Sequence, residues 1–153
     1  TVWTPGHRLT EAMRPVAGGI LLFDAIIQNP DRRAENPNCL VHGEDLRIID
    51  HELAFAHRLL LLWKAPWTLG GMQDLEAPGR HIFVRELKGV RVDFDPIKSR
   101  WTDLSDARLQ EYAGTIPPEW AASRDDIDAA LKLISDARDN IDACLAELER
   151  VLT

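Results

Sequence analysis

Apolar side chains fill almost every position of residues 16–28 (VAGGILLFDAIIQ), a run too long for one strand, and predict a buried helix. Asn29-Pro30 ends it, because the residue before a proline is pushed out of the helical region. Ahead of it, residues 1–15 hold Pro5, Gly6 and Pro15 and predict a loop or a short, interrupted helix. Residues 29–38 (NPDRRAENPN) make a polar loop with two Asn-Pro pairs. In residues 39–49 (CLVHGEDLRII) apolar positions lie on both sides of Gly43-Glu44-Asp45, which predicts a β-hairpin with Asp50 at its end. Residues 52–63 (ELAFAHRLLLLW) return to helical character.

Residues 64–100 are broken by Pro66, Pro78 and Pro96 and by Gly70, Gly71, Gly79 and Gly89, and the stretch 81–87 fits helix or strand. Asp103 is placed to cap a helix over 104–113 that Gly114 stops. Pro118 opens a short helix through Ala122. Ser123 then caps a last element whose first turn carries Asp125 and Asp126, where the helix dipole favours negative charge. Ile127, Leu131, Ile134, Ile141, Leu145, Leu148 and Leu152 recur at helical steps and predict one long helix with a single apolar face. The expected fold class is mainly α with a small β-hairpin, α+β overall. The whole of residues 1–153 forms one domain, with a chemistry-bearing segment at 23–55 and a helical tail at 101–153.

Composition narrows the partners. The net charge is −7, with no basic stripe, which argues against a general nucleic-acid or anionic-membrane binder. No run approaches the roughly 20 apolar residues that span a bilayer. The polar start and Asp24 within the first apolar segment do not make a signal peptide. Cys39 and Cys144 lie far apart, outside any metal-binding spacing, and are expected as reduced, packed thiols in a cytoplasmic protein. The acidic excess of residues 124–153 is expected on a solvated outer face. The chain begins with Thr1 rather than Met and is expected to be processed, trimmed or part of something longer.

Asp31, Asn36 and Asp50 carry the clearest chemistry. Asp31 and Asn36 are five residues apart in the loop after the buried helix, and the hairpin returns the chain so that Asp50 can approach them. Phosphoryl transfer needs such parts: a carboxylate to orient an attacking hydroxyl, and an amide oxygen with a second carboxylate to hold Mg²⁺ against phosphates. Taken singly, Asn29, Asp31, Asn36 and Asn38 read better as turn formers, since Asn and Asp favour turns through local hydrogen bonds. Asp24 is a candidate for holding the loop from within the helix. Other candidates are weaker. His51, Glu52 and His57 do not form the H-E-x-x-H arrangement of a zinc site. Trp63 and Trp67 are expected as core or as cover for a lobe junction, and Gly70-Gly71 lacks the Lys and Ser or Thr of a phosphate loop. No G-x-S-x-G motif or Cys/His dyad points to acyl transfer.

Taken together, Asn29-Pro30-Asp31-Arg32, Asn36-Pro37-Asn38-Cys39-Leu40 and Ile49-Asp50-His51-Glu52 resemble the motifs of the HipA-like kinases, distant relatives of protein and lipid kinases. The resemblance is sharp over about thirty residues and weaker over the remainder. It implies a protein-kinase-like C-terminal lobe that uses ATP and Mg²⁺, with Asp31 as catalytic base and Asn36 and Asp50 as metal ligands. Asn29, Arg32, Asn38 and His51 match supporting positions that shape the loop or reach phosphates. The implied substrate is a hydroxyl, with a protein Ser or Thr expected. The chain departs from the family in lacking a recognisable N-terminal lobe: Lys64, Lys88, Lys98 and Lys132 all follow the loop, and no glycine-containing ATP lid precedes it. A partner lobe is therefore expected from preceding sequence or from a separate chain. The alternative expectation is a non-catalytic interaction module, a pseudokinase remnant of the same fold. The family includes toxin components of toxin–antitoxin pairs, but no residue here reports that role.

Overall fold

A computed structural model describes residues 1–153, the side chain of Ala121 excepted. The first apolar run forms helix α1, Arg14–Ile26, with Pro15 in its opening turn, where a missing N–H costs nothing. Ala17, Leu21, Leu22 and Ile26 are fully buried, so nearly every face of α1 is covered. The helix stops at Ile27, and Gln28 turns left-handed at φ 56°.

The hairpin forms as expected. Strands β1, Cys39–His42, and β2, Asp45–Ile48, pair antiparallel from Cys39↔Ile48 to His42↔Asp45. Gly43, at φ 59°, opens the two-residue turn in a conformation that glycine adopts without strain. Along β1, Cys39 and Val41 face the core while Leu40 and His42 face outward. The N-terminal segment runs beside β1: Trp3 N–H donates to the Cys39 carbonyl at 2.8 Å, and Val2 bridges Leu40. Trp3 is thereby delivered into the core, edge-on to Phe83 with centroids 5.2 Å apart.

Residues 52–63 do not form the expected helix. They are turns around one short 3₁₀ helix, Ala56–Leu59. The Phe55 N–H is taken by the Ile27 carbonyl at 2.7 Å, and Phe55 and Leu62 both sit at left-handed φ. The end of α1 thus takes as partner a donor that a continuing helix would use internally. The broken region that follows contains a second 3₁₀ turn, Gln73–Glu76, and helix α2, Val84–Leu87, so of the ambiguous stretch 81–87 the last four residues are helix and the first three a bend and turn. It also contains helix α3, Asp95–Thr102, which has Pro96 in its first turn and was not foreseen.

Helix α4, Asp106–Gly114, is capped by Ser105, whose hydroxyl accepts from Arg108 N–H at 3.2 Å; the expected cap, Asp103, instead ends α3. A 3₁₀ turn, Pro118–Ser123, follows as anticipated. The single long helix expected from residue 124 onward is two helices: α5, Arg124–Asp139, and α6, Ile141–Leu152. Asn140 separates them, leaving helical geometry while its side-chain amide donates back to the Asp136 carbonyl at 2.8 Å. The core gathers α1, the inner face of the hairpin, Phe83, Leu87 and the apolar face of α6. Glu147 is the exception to the solvated acidic face: it is buried, accepting from Met72 N–H and paired with Arg150. Among the described residues, no helix is long and apolar enough to cross a membrane.

Candidate active site

Asp24, in the last turns of α1, is buried and anchors everything around it. Its Oδ1 accepts from Asn29 Nδ2 at 2.8 Å, and its backbone carbonyl accepts from Asn29 N–H at 2.9 Å. Asn29 in turn accepts from Asp31 N–H at 3.2 Å, so the loop starts by folding back on the helix end. Arg32 is wholly buried, and each of its five N–H groups has an acceptor. Nε donates to Asp24 Oδ2 at 2.5 Å, and one terminal nitrogen donates to Asp24 Oδ1 at 3.3 Å and to His51 Nε2 at 2.9 Å. The other terminal nitrogen donates to the carbonyls of Asn38 and Ile49.

His81 completes the cluster. Its Nδ1 accepts from Phe83 N–H at 3.2 Å, so Nε2 carries the proton and donates to Asp24 Oδ2 at 3.1 Å. The ring is neutral, and burial holds its pKa below the usual value against the pull of Asp24. Burial pushes the Asp24 carboxyl up, but the hydrogen bonds and charges of His81 and Arg32 outweigh it and leave the group below its usual range.

Asp31 stands at the centre of the loop. Its Oδ2 accepts from Asn36 Nδ2 at 2.7 Å and from Asn38 Nδ2 at 3.2 Å, and its Oδ1 accepts from the more exposed Arg33 at 3.2 Å. Reciprocal backbone bonds between Arg33 and Asn36, both 3.1 Å, close the loop. Asp50 is exposed and left-handed at φ 57°, and its Oδ1 accepts from Glu52 N–H at 3.4 Å. Asp31, Asn36 and Asn38 are thus joined directly. No hydrogen bond joins Asp50 to them among the described residues; it is tied in through its neighbours Ile49 and His51, both held by Arg32. Gln28, Asn38 and Asp50 all take left-handed backbone, a conformation that gathers at functional loops when non-glycine residues adopt it.

The donor set suits a hard divalent cation. Asn36 gives its Nδ2–H to Asp31, which leaves its amide oxygen, beside the Asp31 carboxylate, for an oxygen-seeking ion such as Mg²⁺. No group of three His, Cys, Asp or Glu side chains is arranged to hold a metal among the described residues. His57 packs against Trp63 with ring centroids 5.1 Å apart, and Trp67 packs on the core. The two thiols are free and buried; burial raises that of Cys39 and pushes that of Cys144 up to about 12, which favours the protonated form of both.

The family described as HipA-like kinase matches residues 7–150, nearly the whole chain. No curated protein and no solved structure matches. The matched span contains the Asp31 loop, the hairpin and Asp50, and the chain belongs to the HipA-like kinase family.

Proposed function

We propose that this chain is the C-terminal, catalytic lobe of an ATP- and Mg²⁺-dependent kinase that phosphorylates a hydroxyl, on a Ser or Thr side chain of a protein. The observation that carries the reading is the Asp31 carboxylate gripped by the Asn36 and Asn38 amides. In this reading those two amides fix Oδ2. Oδ1, bonded to the more exposed Arg33, is the oxygen that meets the substrate hydroxyl, orients it and takes its proton. Asn36 Oδ1 and the Asp50 carboxylate are the ligands for Mg²⁺, which when bound neutralises phosphate charge. Asn29 holds the start of the loop, and Arg32 and His51 its junction with the hairpin.

The test is the thermal midpoint of the chain with and without Mg²⁺ and ATP. A ligand at one hundred times its Kd adds about 2.7 kcal/mol, or roughly 5–10 °C for a chain of this size. The expected rise survives Asp31→Asn, which removes the base, and disappears in Asp50→Asn. A wild-type midpoint indifferent to Mg²⁺ and ATP, even with an N-terminal lobe added in trans, overturns the kinase reading. One observation favours the non-catalytic module: Leu59, Leu61 and Leu62 are 86%, 93% and 88% exposed, an apolar surface suited to a partner.

A further inference from the structure

We propose that Arg32 is the positioning residue of the metal site, setting Asp50 from both sides and passing the position of α1 to it through Asp24. The proposal rests on the reading of Asp50 as a metal ligand. The acceptors around Arg32 come from four places: the Asp24 carboxylate on α1, the Asn38 carbonyl at the end of the loop, and Ile49 and His51 on either side of Asp50. The Asn38 carbonyl also accepts from Ile49 N–H at 3.0 Å, so one guanidinium knits the loop to the end of the hairpin. Asp50 holds a left-handed φ of 57°, a conformation that aspartate adopts more readily than most side chains and that the bond from Glu52 N–H accompanies. Its carboxylate receives a single long bond from Glu52, so the position of its backbone comes from the neighbours that Arg32 grips.

His51 has a defined part in this clamp. Arginine has only donors, so His51 Nε2 is the acceptor of the 2.9 Å bond. What matters at position 51 is a side-chain acceptor at that point. Lysine at position 32 would offer three donors from one atom and could not span acceptors on three segments. Groups bonded directly to a metal ligand commonly change metal affinity about 10–100-fold when lost; Arg32 and His51 hold the neighbours of Asp50 rather than Asp50 itself, so the expected effect sits at the lower end, about 10-fold.

The experiment is a Mn²⁺ titration of the ¹⁵N-labelled chain, read as paramagnetic broadening of the Asn36 and Asp50 amide signals. Wild type, Arg32→Lys, His51→Leu and His51→Gln are compared, each with its dispersed spectrum checked first. Arg32→Lys and His51→Leu are expected to bind Mn²⁺ about 10-fold more weakly. His51→Gln, whose amide oxygen still accepts, is expected to keep most of the affinity. If Arg32→Lys does not fold, the two His51 variants decide, since that side chain is 32% exposed and its loss leaves the Asp24–Arg32 pair whole. Wild-type affinity in a folded His51→Leu overturns the positioning role and leaves the metal site standing. Absence of broadening at Asn36 and Asp50 in the wild type instead removes the metal-site reading, and this inference with it.

Discussion

Burial decides the protonation of His81, and through it the response of the chain to acid. In the folded state the ring is neutral and its pKa is held below 6.5 by burial. In the unfolded chain it takes up a proton near that usual value. Below pH 6.5 the unfolded state therefore binds more protons, and stability falls as the pH drops. Asp24 acts lower: its folded pKa lies below 3.8, so its contribution is present above that value and is lost as the pH falls beneath it. Urea midpoints measured from pH 8 to pH 5 should fall through the upper window in the wild type and flatten in His81→Gln, which can still donate to Asp24 but does not titrate. Equal slopes in the two proteins would rule out His81 as the source. The sequence singles out Asp31 and Asn36 through their spacing, Arg32 and Asn38 through the family resemblance, and Asp24 as the polar residue of an apolar helix. It does not reveal His81, which lies 57 residues from Asp24 with only the fold to join them.

At the scale of elements, local chemistry accounts for α1, the hairpin and the short turn at Pro118. It fails where a tertiary bond or a single residue overrides the pattern. The apolar stripe of residues 124–153 runs without a visible gap, yet Asn140 breaks the helix because its side chain competes for a carbonyl of the preceding turn. Residues 52–63 have helical periodicity, but the bond from Phe55 to Ile27 spends the backbone elsewhere. Gly70-Gly71, unremarkable as a phosphate motif, has a packing reason. A Cβ at Gly71 would lie 2.0 Å from the Ala65 carbonyl oxygen and 2.9 Å from that of Thr68, in a turn closed by the 2.8 Å bond from Gly71 N–H to Thr68. Gly71→Ala is expected to destabilise the chain by about 1–3 kcal/mol, as overpacking does. An unchanged urea midpoint would mean that the turn opens at no cost.

Over the whole molecule, a small sheet in a helical body was legible from the order of periodicities. Which helices meet around α1 was not, because residues 64–100 offer breakers rather than a period. The exposed leucines at 59, 61 and 62 are a property of the assembled surface. Leu61→Glu with Leu62→Glu should leave stability within about 0.5 kcal/mol, as exposed substitutions do. Any self-association seen by light scattering should weaken in the same variant. A larger loss of stability would show that these side chains pack against the body.

The contacts beneath the loop carry a consequence for engineering. Gly79 accepts from Ala34 N–H at 3.3 Å, Ile82 donates to the Arg32 carbonyl at 3.1 Å, and His81 braces Asp24. The motif is therefore not portable: residues 23–55 grafted into another scaffold would keep their spelling but arrive without the strap at 79–82 that gives them their shape.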